Sequence, residues 1–164
     1  MTHPGDQLRK RYGFGDFLFY TALFAVPLVT ALLAIARDGL GWLLAYLVVC
    51  LAMTVLILKF FCTHCPHYTR SDTTLKCVFF WGLPKFFNRR PGALNHRDKT
   101  VAFAAPAVMA LFPVYWLVEQ PGLLVTYILS AAVAVAALRR MECDRCVYFE
   151  CPSNKVPAER RTAS

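Results

Sequence analysis

The sequence predicts an all-α integral membrane protein: a four-helix bundle built from two tandem helical hairpins, with both termini cytoplasmic. Three observations predict it. The 164-residue chain is 57% hydrophobic and only 17% charged, with a mean hydropathy of +0.45, a composition of the membrane class. Four apolar stretches, at 17–36, 40–61, 100–118 and 122–138, have lengths suited to crossing a hydrocarbon core about 30 Å thick at ~1.5 Å per residue. The lysines and arginines gather at alternate ends of those stretches, as the positive-inside rule requires.

The organisation follows in order. Residues 1–16 form a basic cytoplasmic tail carrying Arg9, Lys10 and Arg11, and 17–61 form the first hairpin. Its short loop holds Arg37 beside Asp38 and no other basic residue. Residues 62–99 form a cytoplasmic loop with Arg70, Lys76, Lys85, Arg89, Arg90, Arg97 and Lys99, and Lys59 just precedes it. The second hairpin spans 100–138, and its EQPG loop has no basic residue. The cytoplasmic tail, 139–164, carries Arg139, Arg140, Arg145, Lys155, Arg160 and Arg161. In lipid each backbone polar group must be satisfied within its own segment, so the spans are helices, kinked at Pro27, Pro106 and Pro113. The first apolar run starts late and lacks a small-residue cleavage site, so no cleavable signal peptide is expected. Topology accounts for the net charge of +8, and nucleic acid is not an expected partner. The expected setting is a multi-pass protein of the cytoplasmic (inner) membrane, in contact with its lipids.

The halves repeat. FAVPLVTAL at 24–32 matches FAAPAVMAL at 103–111 in six of nine positions. Gly41, Leu43 and Tyr46 match Gly122, Leu124 and Tyr127, and Cys62 and Cys65 match Cys143 and Cys146. Each repeat is a hairpin followed by CxxC and a third cysteine. The repeats would be related by an axis along the membrane normal. If the second and fourth spans met at that axis, the two CxxC pairs would face each other.

Of seven cysteines, Cys50 lies mid-span and reads as packing. The other six, Cys62, Cys65, Cys77, Cys143, Cys146 and Cys151, fall on the predicted cytoplasmic side. Thiols stay reduced there, so clustered cysteines point to metal binding or redox chemistry. A CxxC lets two thiolates address one ion or one cluster edge. Cys62, Cys65, Cys143 and Cys146 are the candidate core ligands, with Cys77 and Cys151 next; His64 and His67 flank Cys65 as possible additional ligands. Iron–sulfur, foremost [4Fe–4S], would make an electron carrier between a soluble cytoplasmic oxidoreductase and membrane quinone. Zinc would make a structural clamp in an assembly or anchor subunit, and thiol–disulfide chemistry is a third reading. The net positive charge of Lys59, Arg139, Arg140 and Arg145 would offset a cluster's charge. In 77–92, Phe79, Phe80, Trp81, Phe86 and Phe87 alternate with a Gly-Leu-Pro turn and basic residues. That segment reads as interfacial, Lys85, Arg89 and Arg90 meeting headgroups or a partner, and with Tyr68 it could pocket a quinone ring. The spans hold no histidine, which argues against a buried bis-histidine haem. After Cys151 the sequence PSNKVPAERRTAS reads as a polar, mobile tail. No nucleophile triad or nucleotide loop is present, so a non-catalytic redox or anchor subunit is expected rather than an enzyme in its own right.

The string C-T-H-C-P-H-Y at 62–68 resembles one found in uncharacterised small polytopic membrane proteins, and that resemblance implies a related architecture. Four-helix oxidoreductases of the vitamin K epoxide reductase family also pair CxxC with quinone, but their reactive cysteines work on the extracytoplasmic side.

Overall fold

The computed structural model describes residues 8–69 and 73–161; Arg70 and the chain's extremities lie outside them. Four helical segments are long and apolar enough to cross a membrane: Phe14–Ala36, Leu40–His64, His96–Val118 and Pro121–Cys143. Helix α1 (Phe14–Ala36) starts three residues before the apolar run, because Asp16 Oδ2 accepts the Gly13 N–H at 2.8 Å and caps the first turn. Gly39, at φ 128°, reverses the chain into α2 (Leu40–Phe60). A 3-10 turn, Cys62–His64, follows, and then the short α3 (Pro66–Thr69). Two strands, β1 (Thr74–Lys76) and β2 (Trp81–Pro84), pair antiparallel, with Gly82 at φ 75° inside β2. The chain is therefore not purely α. The third span divides into α4 (His96–Leu111) and α5 (Val114–Val118), and α6 (Pro121–Leu138) runs on into a π-helical turn, Arg139–Cys143. A last turn, α7, covers Ala158–Arg161.

Helix α1 packs along α6 and α2 along α4, while α5 touches both α1 and α6. Among the described residues α2 and α6 approach each other less closely than these pairs, and they come together through Tyr46 and Cys50 of α2 beside Tyr127 of α6. The α1–α6 side is rich in small residues: Ala31, Ala34 and Ala134 are fully buried, and small side chains let membrane helices approach closely. Outward, Leu44, Val48, Leu51, Val125, Leu129 and Val133 are exposed. At most 33% of any span's most apolar window is buried inside the protein, so lipid must cover the rest.

The three span prolines behave differently. Pro27 and Pro106 are carried inside continuous helices, whereas Pro113 separates α4 from α5. A proline at 113 offers no N–H to the Met109 carbonyl. Tyr46 Oη donates to Met109 O at 3.2 Å, and Tyr127 Oη donates to Ala110 O at 2.8 Å. Two tyrosines on neighbouring helices thus answer the carbonyls freed at the break. One core forms around this region, from Ala31, Ala34, Ile35, Tyr46, Trp116 and Leu117. Two smaller cores lie at the opposite end: Leu58, Cys62, Tyr68 and Leu75, and Tyr12, Tyr20 and Val78.

Tyr46→Phe removes the partner of a carbonyl that has no helical donor. Intramembrane hydrogen bonds contribute about 0.6 kcal/mol on average and up to ~1.7; the upper half of that range is expected here, measured by equilibrium unfolding in detergent micelles.

Candidate cysteine site

The site is assembled at one end of the bundle from four described stretches: 8–13, 61–69, 73–95 and 139–157. Cys62 arrives on the turn that ends α2, held by Thr63 Oγ1 donating to Lys59 O at 2.8 Å. Cys65 is extended (φ −70°, ψ 137°), as the residue before Pro66 must be, and this stops the helix. The β1–β2 hairpin then lays Cys77 beside Cys62. Tyr68 fixes the segment that leaves the hairpin: its hydroxyl donates to Phe87 O at 2.8 Å and accepts Phe87 N–H at 2.9 Å.

The second CxxC follows the π turn. Lys155 N–H donates to Cys143 O at 3.1 Å, and Asn154 Nδ2 donates to Cys146 O at 2.8 Å and Tyr148 O at 2.9 Å. Asn154 Oδ1 in turn accepts Val156 N–H, and Val156 is buried. Residues 154–156 are therefore hydrogen-bonded back onto the second CxxC, an attachment their polarity does not announce. The N-terminal stretch is also docked. Arg9 bridges Cys146 in parallel, its N–H donating to Arg145 O at 2.7 Å. Tyr12 is buried with its ring 4.8 Å from that of His67.

All six cysteines are free thiols. Cys65 neighbours Cys77, Cys62 and Cys146; Cys146 neighbours Cys77 and Cys151; Cys151 neighbours Cys143. Cys77 stands between the two CxxC pairs. Burial is the main force on these thiols: it raises Cys65 well above the ordinary thiol value, with Cys77 adding, and raises Cys77, Cys146 and Cys151 too. Backbone N–H groups pull the other way. His67 serves Cys65; Phe79, Val78 and Phe80 serve Cys77; Tyr148 serves Cys146; Ser153 and Asn154 serve Cys151. Among the described residues no three His, Cys, Asp or Glu side chains converge closely enough to hold a single metal ion.

The other anticipated residues divide. His64 Nε2 sits 3.1 Å from Asp98 Oδ2 at the start of α4, both side chains buried, and Arg90 lies 3.9 Å from the same carboxylate. His64 Nδ1 is buried without a hydrogen-bond partner. Phe80 and Phe87 pack against the Cys62 core and Trp81 against Tyr12 and Tyr20, whereas Phe79 and Phe86 are exposed. Lys85 lies 5.7 Å over the Tyr68 ring and Arg90 5.9 Å over Phe60.

Sequence reasoning missed Glu142. Its side chain is 4% exposed, and Oε1 accepts from Arg9 Nη1 and, at 3.0 Å, from Tyr20 Oη. Arg9 Nη2 also donates to Asp16 at 2.8 Å. An acidic residue ending an apolar run beside Cys143 was the available signal. Burial, then Cys146, Glu142 and Cys77, push the Tyr12 phenol far above its usual value.

No protein-family model, curated protein or solved structure matches the chain.

Two outcomes follow from this geometry. Glu142→Ala strips Arg9 and Tyr20 of their shared acceptor. Breaking a fully buried pair costs 3–5 kcal/mol, and with Arg9 34% exposed about 2 kcal/mol is expected, read as detergent unfolding together with faster proteolysis of the N-terminal stretch. The raised thiols give the second. A thiol with a higher pKa in the folded chain holds its proton more tightly there, so its stabilisation is complete below the unfolded value of about 8.5 and is lost as pH rises above it. Metal-free protein should therefore unfold more readily at pH ~9.5 than at ~7.5, and its thiols should alkylate more slowly at pH ~8 than those of a cysteine peptide.

Proposed function

We propose that the cysteine-bearing end holds an iron–sulfur centre, foremost [4Fe–4S], and that the protein passes electrons between a soluble cytoplasmic oxidoreductase and membrane quinone. The observation that carries this reading is the ring of backbone N–H groups from residues 67, 78–80, 148 and 153–154 aimed at four clustered cysteine sulfurs. Amides so placed stabilise thiolates in the buried setting that otherwise opposes their ionisation, and hydrogen bonds to sulfur also set a cluster's potential. Six cysteines at this end exceed the four that one structural zinc needs, which favours a cluster.

In this reading Cys65, Cys77 and Cys146 are central ligands, Cys62 completes a set of four, and Cys143 and Cys151 serve a second position. Bound there, the centre supplies one-electron transfer. Arg139 stands near Cys143 and would offset thiolate charge. The exposed Phe79 and Phe86 offer apolar contact to quinone at the membrane surface. Two arrangements support the duplication: α1 with α6 and α2 with α4 is the pairing that a twofold axis exchanging the hairpins requires. Positive charge at this end supports its cytoplasmic placement.

Anaerobically purified protein should contain iron and acid-labile sulfide in near-equal amounts and give a low-temperature EPR signal on reduction. Cys65→Ser, Cys77→Ser and Cys146→Ser should each lose most of both. Zinc without sulfide would make the cysteines a structural clamp and sink the electron-carrier reading. Neither metal, with thiols that titrate reversibly, would turn the site to thiol–disulfide exchange.

A further inference from the structure

We propose that the cleft at the end of the bundle opposite the cysteines binds the ammonium headgroup of a membrane lipid. The cleft has a volume of about 420 Å³ and is lined by Asp38, Trp42, Tyr115 and Trp116. Asp38 sits in the turn between α1 and α2, Trp42 in the first turns of α2, and Tyr115 and Trp116 on α5.

The rings are arranged as walls. Trp116 is buried and pinned, its Nε1–H donating to Asp38 Oδ2 at 2.9 Å. Trp42 lies 5.4 Å from it at 56°, and Tyr115 lies 5.2 Å from it at 82°. Phe112 and Tyr46 stack behind, at 5.4 and 5.3 Å, and make the floor rigid. A cation against aromatic faces is attracted by their quadrupoles, and quaternary ammonium groups are recognised in such cages. Asp38 adds a full negative charge. The one basic residue of these loops, Arg37, does not line the cleft, and its Nη1 is engaged in donating to Gln120 Oε1 at 2.8 Å.

The surroundings select a lipid over a free solute. Trp42 and Tyr115 are 52% and 71% exposed, so the cleft opens sideways at the helix ends, at the depth of the headgroups. Leu40, Leu44 and Val118 are also exposed beside it and offer an apolar bed for an acyl chain.

The test uses the whole chain released from vesicles holding equal phosphatidylethanolamine and phosphatidylglycerol, with retained lipid counted by native mass spectrometry. At least an about fivefold preference for phosphatidylethanolamine is expected. Asp38→Asn and Tyr115→Leu should each remove most of it; Tyr115 is exposed enough for its loss to spare the core. Equal retention of the two lipids, or an undiminished preference in both variants, would overturn the proposal. Displacement of the lipid by an equal concentration of soluble phosphoethanolamine would assign the cleft to a free ammonium ligand and overturn the lipid.

Discussion

Glu142 is an acid placed at the end of a membrane helix, with its carboxylate almost wholly withdrawn from solvent. A charge in that position is tolerable only if paired and hydrogen-bonded. Its partners come from two distant parts of the chain: Arg9 from the N-terminal stretch and Tyr20 from within α1. Satisfying this one carboxylate therefore draws residues 8–13 across the mouth of the bundle and sets α1 against the end of α6. With Arg9 held there, its backbone bridges Cys146, and Tyr12 is carried onto His67. The π turn is the local device that makes this possible, since a widened turn re-aims Glu142 and Cys143 relative to the helix above.

The cysteines would not gather without that frame. Six thiols close together gain little from packing, and ionising any of them in a buried setting opposes ionising the next. The fold answers with short-range backbone geometry: each of the two CxxC turns, the hairpin after Cys77 and the Asn154 turn after Cys151 present amides to sulfur. Such amides help a thiolate far more than a thiol.

The spans, their boundaries to within a few residues, and the clustering of six cysteines at one end were legible because they rest on local signals: apolar length, charge bias and CxxC spacing. What was not legible depended on contacts between residues far apart in the chain. Arg9 and Glu142 are 133 positions apart, and nothing in a basic tail says that one arginine is claimed by a buried acid. The polarity of PSNK suggested mobility, but Asn154 uses that polarity to close a turn on Cys146 and Tyr148. The aromatics of 77–92 were read as an interfacial band, yet Phe80, Trp81 and Phe87 turn inward because β1 and β2 pair. The closer packing of α1 with α6 and α2 with α4 was not legible for a related reason: sequence repetition constrains symmetry without saying which helices pair most closely.

That last difference bears on how site and bundle are coupled. Cys62 and Cys65 end the helix that packs with α4, while Cys143 and Cys146 end the one that packs with α1. Along their lengths α2 and α6 approach less closely than the packed pairs, and at the cysteine end Cys65 and Cys146 bring the segments after them together. A guest bound by thiolates from both would cross-link the two helix pairs and stabilise their arrangement by its own binding free energy, because the separated ligands of an opened bundle could not hold it. Conversely, any shift between the pairs would change the thiolate spacing first. With such a guest bound, the sulfur site and the seam of the membrane bundle would share one equilibrium, with Glu142 and its partners holding the seam from the side of α1 and α6.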